Sequence, residues 1–131
     1  HMFWNEILPN FKPYISPNVI RELGRNPHTQ TRKRSLELVK KCQQLKSNQK
    51  IKELSKNYVE DGIVPKKYAS DGIHLAYTTI HKIDYLVTWN MKHLAGPDQR
   101  TKIARFNEAN GLHVPIITTP EELNQQYYGQ Q

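Results

Sequence analysis

A chain of 131 residues has the length of one domain, and a hydrophobic content of 37% is enough to bury a single core. Nineteen Lys and Arg against twelve Asp and Glu give a formal charge of +7, a balance that draws polyanions. No apolar run approaches the 18 or more residues of a membrane helix, no charged-then-apolar leader opens the chain, and Cys42 stands alone, so a globular protein of a reducing cytoplasm is expected.

The opening His1-Met2 reads as a cloning remnant ahead of an initiator methionine. Phe3 to Leu8 is apolar, but Pro9 and Pro13 restrict it to a short helix or an irregular plug. Lys12 to Ile15 reads as a short strand. Ser16 as N-cap, Pro17 at the first helical position and Gly24 past the end then frame a helix with Glu22 in its last turn. After a loop at Asn26-Pro27-His28, a helix is expected from about Gln30 to Lys46, with Leu38, Cys42 and Leu45 as its apolar stripe and Cys42 as a buried thiol. Its other faces are basic. Lys46 to Lys50 is too polar for a strand, and Ile51, Leu54, Tyr58 and Val59 repeat the helical period until Gly62 stops it.

A further helix is predicted from Lys67–Ser70 to about His81, with Ile73, Ala76, Tyr77 and Ile80 on one face and Asp71 in the first turn. Tyr85 to Trp89 has the pattern of a parallel strand covered on both faces, ending at Asn90. Gly96-Pro97-Asp98 introduces a helix carrying Ile103 and Phe106, which Gly111 terminates, and Val114 to Thr118 reads as the last strand. Thr119-Pro120-Glu121-Glu122 combines an N-cap with a Thr-x-x-Glu capping box, and the polar tail from Asn124 to Gln131 is expected to be loose. Strands alternating with helices predict a three-layer α/β/α sandwich, one domain over residues 1–131.

Ligands in such sheets gather at the carboxyl ends of the strands, which is where Asn90 falls. The basic excess sits in Arg32-Lys33-Arg34, Lys40-Lys41, Lys66-Lys67 and Arg100 to Arg105; each cluster suits a solvated helix face, and their sum suits a nucleic acid. Asp71, His74, Thr78 and His81 fall near one helical stripe, but no Cys or second acid joins them at zinc-ligand spacing. His74 is expected to pack or hydrogen-bond; His81 and His93 read as surface residues.

Three blocks carry a family resemblance: Asp71-Gly72-Ile73-His74-Leu75-Ala76, Asp84-Tyr85-Leu86-Val87-Thr88-Trp89-Asn90, and Val114-Pro115-Ile116-Ile117-Thr118-Thr119-Pro120-Glu121-Glu122-Leu123. Together they resemble the C-terminal half of a PIN domain, the fold of the VapC-like ribonuclease toxins, and the resemblance extends from about Tyr14 to Leu123. It implies a PIN-like α/β sandwich around a short parallel sheet, and a metal-dependent endoribonuclease of a toxin-antitoxin pair. It also implies Glu22 and Asp71 as catalytic metal ligands, Asn90 as a third ligand where many members carry Asp, and Thr88 as a supporting hydroxyl. The implied cofactor is Mg²⁺ or Mn²⁺, and the implied partners are RNA along Arg32, Lys33 and Arg34, an antitoxin protein, and a second copy of the chain in a dimer.

Besides Asn90 and the polar stretch Lys46 to Lys50, where relatives place a short strand, the sequence departs from the family most at its start. PIN domains open with a central strand ending in an acidic ligand, and no residue before Tyr14 has that pattern. Phe3 to Leu8, a segment exchanged with a second copy, or a strand from another polypeptide would have to cover the gap. With two carboxylates in place of the usual set, the expected cleavage is weak or absent. The alternatives are a degenerate PIN module that binds RNA or a protein, and an interaction subunit whose charge is incidental.

Overall fold

The computed structural model describes residues 14–15, 25, 27–40, 42–88, 94, 96–119, 121–123 and 125. It divides into two compact units, His1–Ser47 and Asn48–Gln131. The expected helix from Ser16 to Gly24 with Glu22, the segment Phe3 to Leu8, Trp89, Asn90, His93 and the last six residues of the tail lie outside the described residues.

The first unit holds β1 (Tyr14–Ile15), α1 (Thr29–Val39) and β2 (Gln43–Gln44). β1 and β2 pair in parallel, Tyr14 opposite Gln43 and Ile15 opposite Gln44. This overturns the helix expected as far as Lys46, because α1 ends at Val39 and a strand follows it. Leu38, Cys42 and Leu45 have helical spacing, but no Gly or Pro marks where that period stops. The backbone groups of Gln43 and Gln44 find partners on β1 instead. Both glutamines are exposed, and a strand this short needs a pairing partner more than an apolar pattern. Cys42 is half-buried, where a core position was expected, and burial pushes its thiol pKa up.

The second unit begins with α2 (Gln49–Glu60). Asn48 is extended at the N-cap, and its Oδ1 accepts from the Ile51 N–H at 2.9 Å, satisfying one of the orphan donors of the first turn. Ile51, Leu54 and Tyr58 form the buried stripe. Gly62, at φ +71, supplies the left-handed residue beyond the end, and the N–H groups of Ile63 and Val64 both return to the Tyr58 carbonyl.

A 3-10 turn (Lys66–Tyr68) leads into α3 (Ala69–Ile80), which packs on α2. The buried residues of α3 are Gly72, Leu75, Ala76, Tyr77, Thr78 and Thr79, whereas Ile73 and Ile80 are half-buried. The predicted face was therefore too narrow and rotated. A helix covered on more than one side buries Thr and Gly as well as apolar residues, and hydrophobicity alone does not mark them.

β3 (Tyr85–Val87), α4 (Pro97–Ala109) and β4 (Ile116–Thr118) form a βαβ unit. The strands are parallel, with Tyr85 opposite Ile116, Leu86 opposite Ile117 and Val87 opposite Thr118. The Ile116 N–H donates to the Asp84 carbonyl and the Thr88 N–H to the Thr118 carbonyl, each at 2.8 Å, so the ladder runs one residue past β3 at either end. All three residues of β3 are half-buried, not covered on both faces as expected. Among the described residues its hydrogen-bonded neighbour is β4, and the expectation of full cover assumed a sheet with neighbours on both sides. α4 starts with Pro97 after Gly96 and gives way at Gly111, φ +66, as the turn residues predicted.

The core of this unit combines apolar side chains such as Leu75, Val64 and Ile103 with a buried polar ring. Each such aliphatic residue contributes roughly 1.5–3 kcal/mol by leaving water. Tyr58 and Asn107 are both 0% exposed and Thr79 is 2% exposed. The Tyr58 hydroxyl donates to Asn107 Oδ1 at 2.8 Å, Asn107 Nδ2 donates to Thr79 Oγ1 at 3.3 Å, and the Thr79 hydroxyl closes the ring onto Tyr58 at 3.1 Å. The second Asn107 proton goes to the His113 carbonyl at 2.9 Å. Burial pushes the Tyr58 phenol up, against the two hydrogen bonds. Every polar atom of the ring has a partner, and α2, α3 and α4 are tied through one point.

Candidate functional site

The parallel pair β3–β4 presents its carboxyl edge at Thr88 and Thr118-Thr119, the part of an α/β sheet where ligands bind. Thr118 and Thr119 are buried and Thr88 is half-buried. Thr119 caps the helical residues 121–123: its Oγ1 accepts from the Glu122 N–H at 3.1 Å and its hydroxyl reaches Glu122 Oε1 at 3.3 Å. The expected N-cap is present. The Glu122 carboxylate has a further partner in Arg100 on α4, which holds it in a fork at 3.0 and 2.6 Å. That bond keeps the Glu122 carboxyl below the usual range and raises Arg100, so both partners shift toward their charged forms.

Asp71 stands in the first turn of α3 and is half-buried, where its charge complements the helix dipole. Of the three expected metal ligands it alone falls within the described residues, because Glu22 and Asn90 lie outside them. Thr88 sits one residue beyond β3, where the strand was expected to run on to Trp89, and its N–H continues the ladder to the Thr118 carbonyl. No group of three or more His, Cys, Asp and Glu that could hold a metal ion occurs among the described residues.

His74 is half-buried on α3, and its carbonyl accepts from the Thr78 hydroxyl at 2.9 Å. His81 was expected at the surface and is instead half-buried, its ring parallel to that of Tyr77 with centroids 6.3 Å apart. Tyr77 lies four residues earlier, so the helical period itself brings the two rings together.

The basic clusters separate when their geometry is considered. Arg32, Lys33 and Arg34 are consecutive on α1 and fan over roughly 200° of its circumference; Arg32 is half-buried and the other two are exposed. In the run from Arg100 to Arg105, Arg100 is held by Glu122 and Lys102 Nζ donates to the Gly62 carbonyl at 3.1 Å, so this run does not act as one free patch. Gln99 also donates to the Ile63 carbonyl, fastening α4 to the turn after α2.

The sequence reading missed two features. The ring of Tyr58, Thr79 and Asn107 had a local signal, since Asn107 lies four residues after the buried Ile103 on α4, a spacing that places a carboxamide in the core. The Arg100–Glu122 pair joins residues 22 apart and had none. Among the described residues, no helix is long and apolar enough to cross a membrane.

Comparison of the chain with family models, with curated proteins and with solved structures finds no match.

Proposed function

We propose that this chain is a PIN-like α/β/α domain akin to the Mg²⁺-dependent endoribonuclease toxins of toxin-antitoxin pairs, with weak cleavage or none of its own. The observation that supports this reading most is Asp71, a half-buried carboxylate in the first turn of the helix that precedes the parallel β3–α4–β4 unit. A carboxylate there is the hard oxygen donor that Mg²⁺ or Mn²⁺ prefers, so the residue fits the cofactor. In this proposal Glu22 and Asn90 complete the ligand set and Thr88 supports it. A bound ion would supply a polarised water for attack on phosphorus. Glu22 and Asp71 bring two negative charges and Asn90 brings none, which underlies the expectation of weak cleavage. Arg32, Lys33 and Arg34 contribute to the RNA contact, and an antitoxin and a second copy of the chain are the proposed protein partners.

The test is Mn²⁺ binding to the whole chain, followed by electron paramagnetic resonance. Asp71→Asn should weaken binding at least tenfold and abolish whatever Mg²⁺-dependent RNA cleavage exists. Unchanged binding, or cleavage that survives both Asp71→Asn and EDTA, refutes the site.

A second reading, a module that binds RNA or a protein without cleaving, is favoured by the Arg100–Glu122 fork. The carboxylate at the carboxyl edge of β3–β4 is neutralised by a guanidinium and kept ionised, which leaves it a poor proton carrier and a poor metal ligand. Under this reading RNA binding persists undiminished in Asp71→Asn and in EDTA.

A further inference from the structure

Within the second unit, α2 and the start of α3 enclose an open groove lined by Ser55, Lys56, Val59, Glu60, Lys66, Ala69 and Ile73. Its composition is asymmetric. Val59, Ala69 and Ile73 make an apolar floor, while Lys56 from α2 and Lys66 from the 3-10 turn bring two ammonium groups to its walls and Ser55 brings a hydroxyl. Lys67, beside Lys66, lies over the Tyr68 ring with Nζ 5.7 Å from the centroid, which holds a third cation close to the same turn. Lys66 and Lys67 are exposed. Glu60 is the acidic member of the lining; it meets Lys56 at 3.6 Å with side chains 57% and 74% exposed, a contact that solvent screens and a phosphate displaces at little cost.

We propose that this groove binds single-stranded RNA, with Lys56, Lys66 and Lys67 on the phosphates and the apolar floor against a base or ribose face. Charge complementarity selects a polyanion, because two lysines line the groove and a third stands beside Lys66, against one glutamate in the lining. The apolar floor selects an unpaired strand, since bases enclosed in a duplex offer no face to it, whereas single-strand sites pair a cationic track with apolar contacts to bases. The choice of RNA rests on the reading proposed above. The groove also bears on the position of that reading's site: the turn that supplies Lys66 and Lys67 runs directly into the first turn of α3, where Asp71 stands. A strand held here would pass next to Asp71.

The experiment measures fluorescence anisotropy of a labelled 15-nucleotide single-stranded RNA with the full chain, across a salt series, beside a hairpin duplex and a single-stranded DNA of the same length. The single-stranded RNA should bind tightest. Lys66→Gln with Lys67→Gln should weaken it at least fivefold and reduce the slope of log affinity against log salt by about 1.4, at roughly 0.7 for each phosphate contact on a single strand. Ala69→Phe keeps every charge and fills the floor; it should weaken single-stranded RNA and leave the hairpin unchanged. All these positions are exposed, and circular dichroism confirms that each variant is folded.

Unchanged affinity and slope in the double variant, together with loss of binding in Arg32→Gln/Lys33→Gln/Arg34→Gln, would overturn the groove and keep the RNA reading. No binding of any RNA by the wild-type chain would overturn both. Equal loss for hairpin and single strand on Ala69→Phe, or tighter binding of DNA than of RNA, would also overturn the proposal as stated.

Discussion

α1 and α2 are both polar helices rich in lysine or arginine, of eleven and twelve residues, yet their ends were predictable to very different degrees. α2 has Asn48 as a side-chain cap, three apolar residues in register on one buried face, and Gly62 in the left-handed conformation just past its end. Each signal fixes a boundary or a face by local chemistry. α1 has no acidic residue in its first turn, no basic residue in its last, and no Gly or Pro to close it. Its end is set by β2 turning away to pair with β1, an interaction between segments almost thirty residues apart. A helical period shows where a helix is possible; caps, stops and competing pairings decide how much of it forms.

The largest test of this contrast lies in the ring beneath α2. Asn107→Leu strips the buried Tyr58 hydroxyl of its acceptor and leaves the buried Thr79 hydroxyl and the part-buried His113 carbonyl short of a donor. Orphaned buried polar groups cost about 1–3 kcal/mol each, so urea unfolding should show a loss of about 3–4 kcal/mol. A loss under about 1 kcal/mol would mean that the ring is not what joins α2, α3 and α4.

Next in size is the cap itself. Asn48→Ala removes the bond to the Ile51 N–H and should cost about 1 kcal/mol, whereas Lys33→Ala on the exposed side of α1 should stay within about 0.5 kcal/mol. Equal effects would erase the distinction between the two helices. At Gly72 the sign reverses. An added Cβ would meet the Ser55 carbonyl oxygen at 3.7 Å and Val64 at 3.8 Å, ordinary contact distances, so Gly72→Ala should be neutral or stabilise by up to about 1 kcal/mol through helix propensity. A marked loss of thermal midpoint in that variant would show that the α2–α3 approach demands glycine.

The smallest expected effect is the acid dependence of the Arg100–Glu122 fork. Arg100 lowers the Glu122 carboxyl in the folded state, so the pair's contribution is present above the ordinary glutamate range and is lost as pH falls through the lowered value. The two side chains are 32% and 39% exposed, and solvent screening keeps the effect below about 1 kcal/mol. Glu122→Gln should therefore be slightly less stable than wild type at pH 7, with the gap closing toward pH 3. A gap that widens in acid would contradict the assigned direction.

Local sequence determined what local physics controls. Gly62 ended α2, Pro97 and Gly111 bounded α4, Asp71 fell in the first turn of α3, and the β-branched runs at Tyr85 and Ile116 became parallel strands, because caps, turn residues and side-chain period act within a few residues. Thr119 was legible as a cap for the same reason. Tertiary structure decided the rest: the early end of α1, the rotated and broadened buried face of α3, the half-buried places of Cys42 and His81, and the commitment of Arg100 and Lys102 to internal partners, which split a basic run that reads as one patch in the sequence. The buried ring of Tyr58, Thr79 and Asn107 shows the division most clearly. Each residue is unremarkable in its own helix, and only when three helices close around them does removal from water force their polar atoms to satisfy one another.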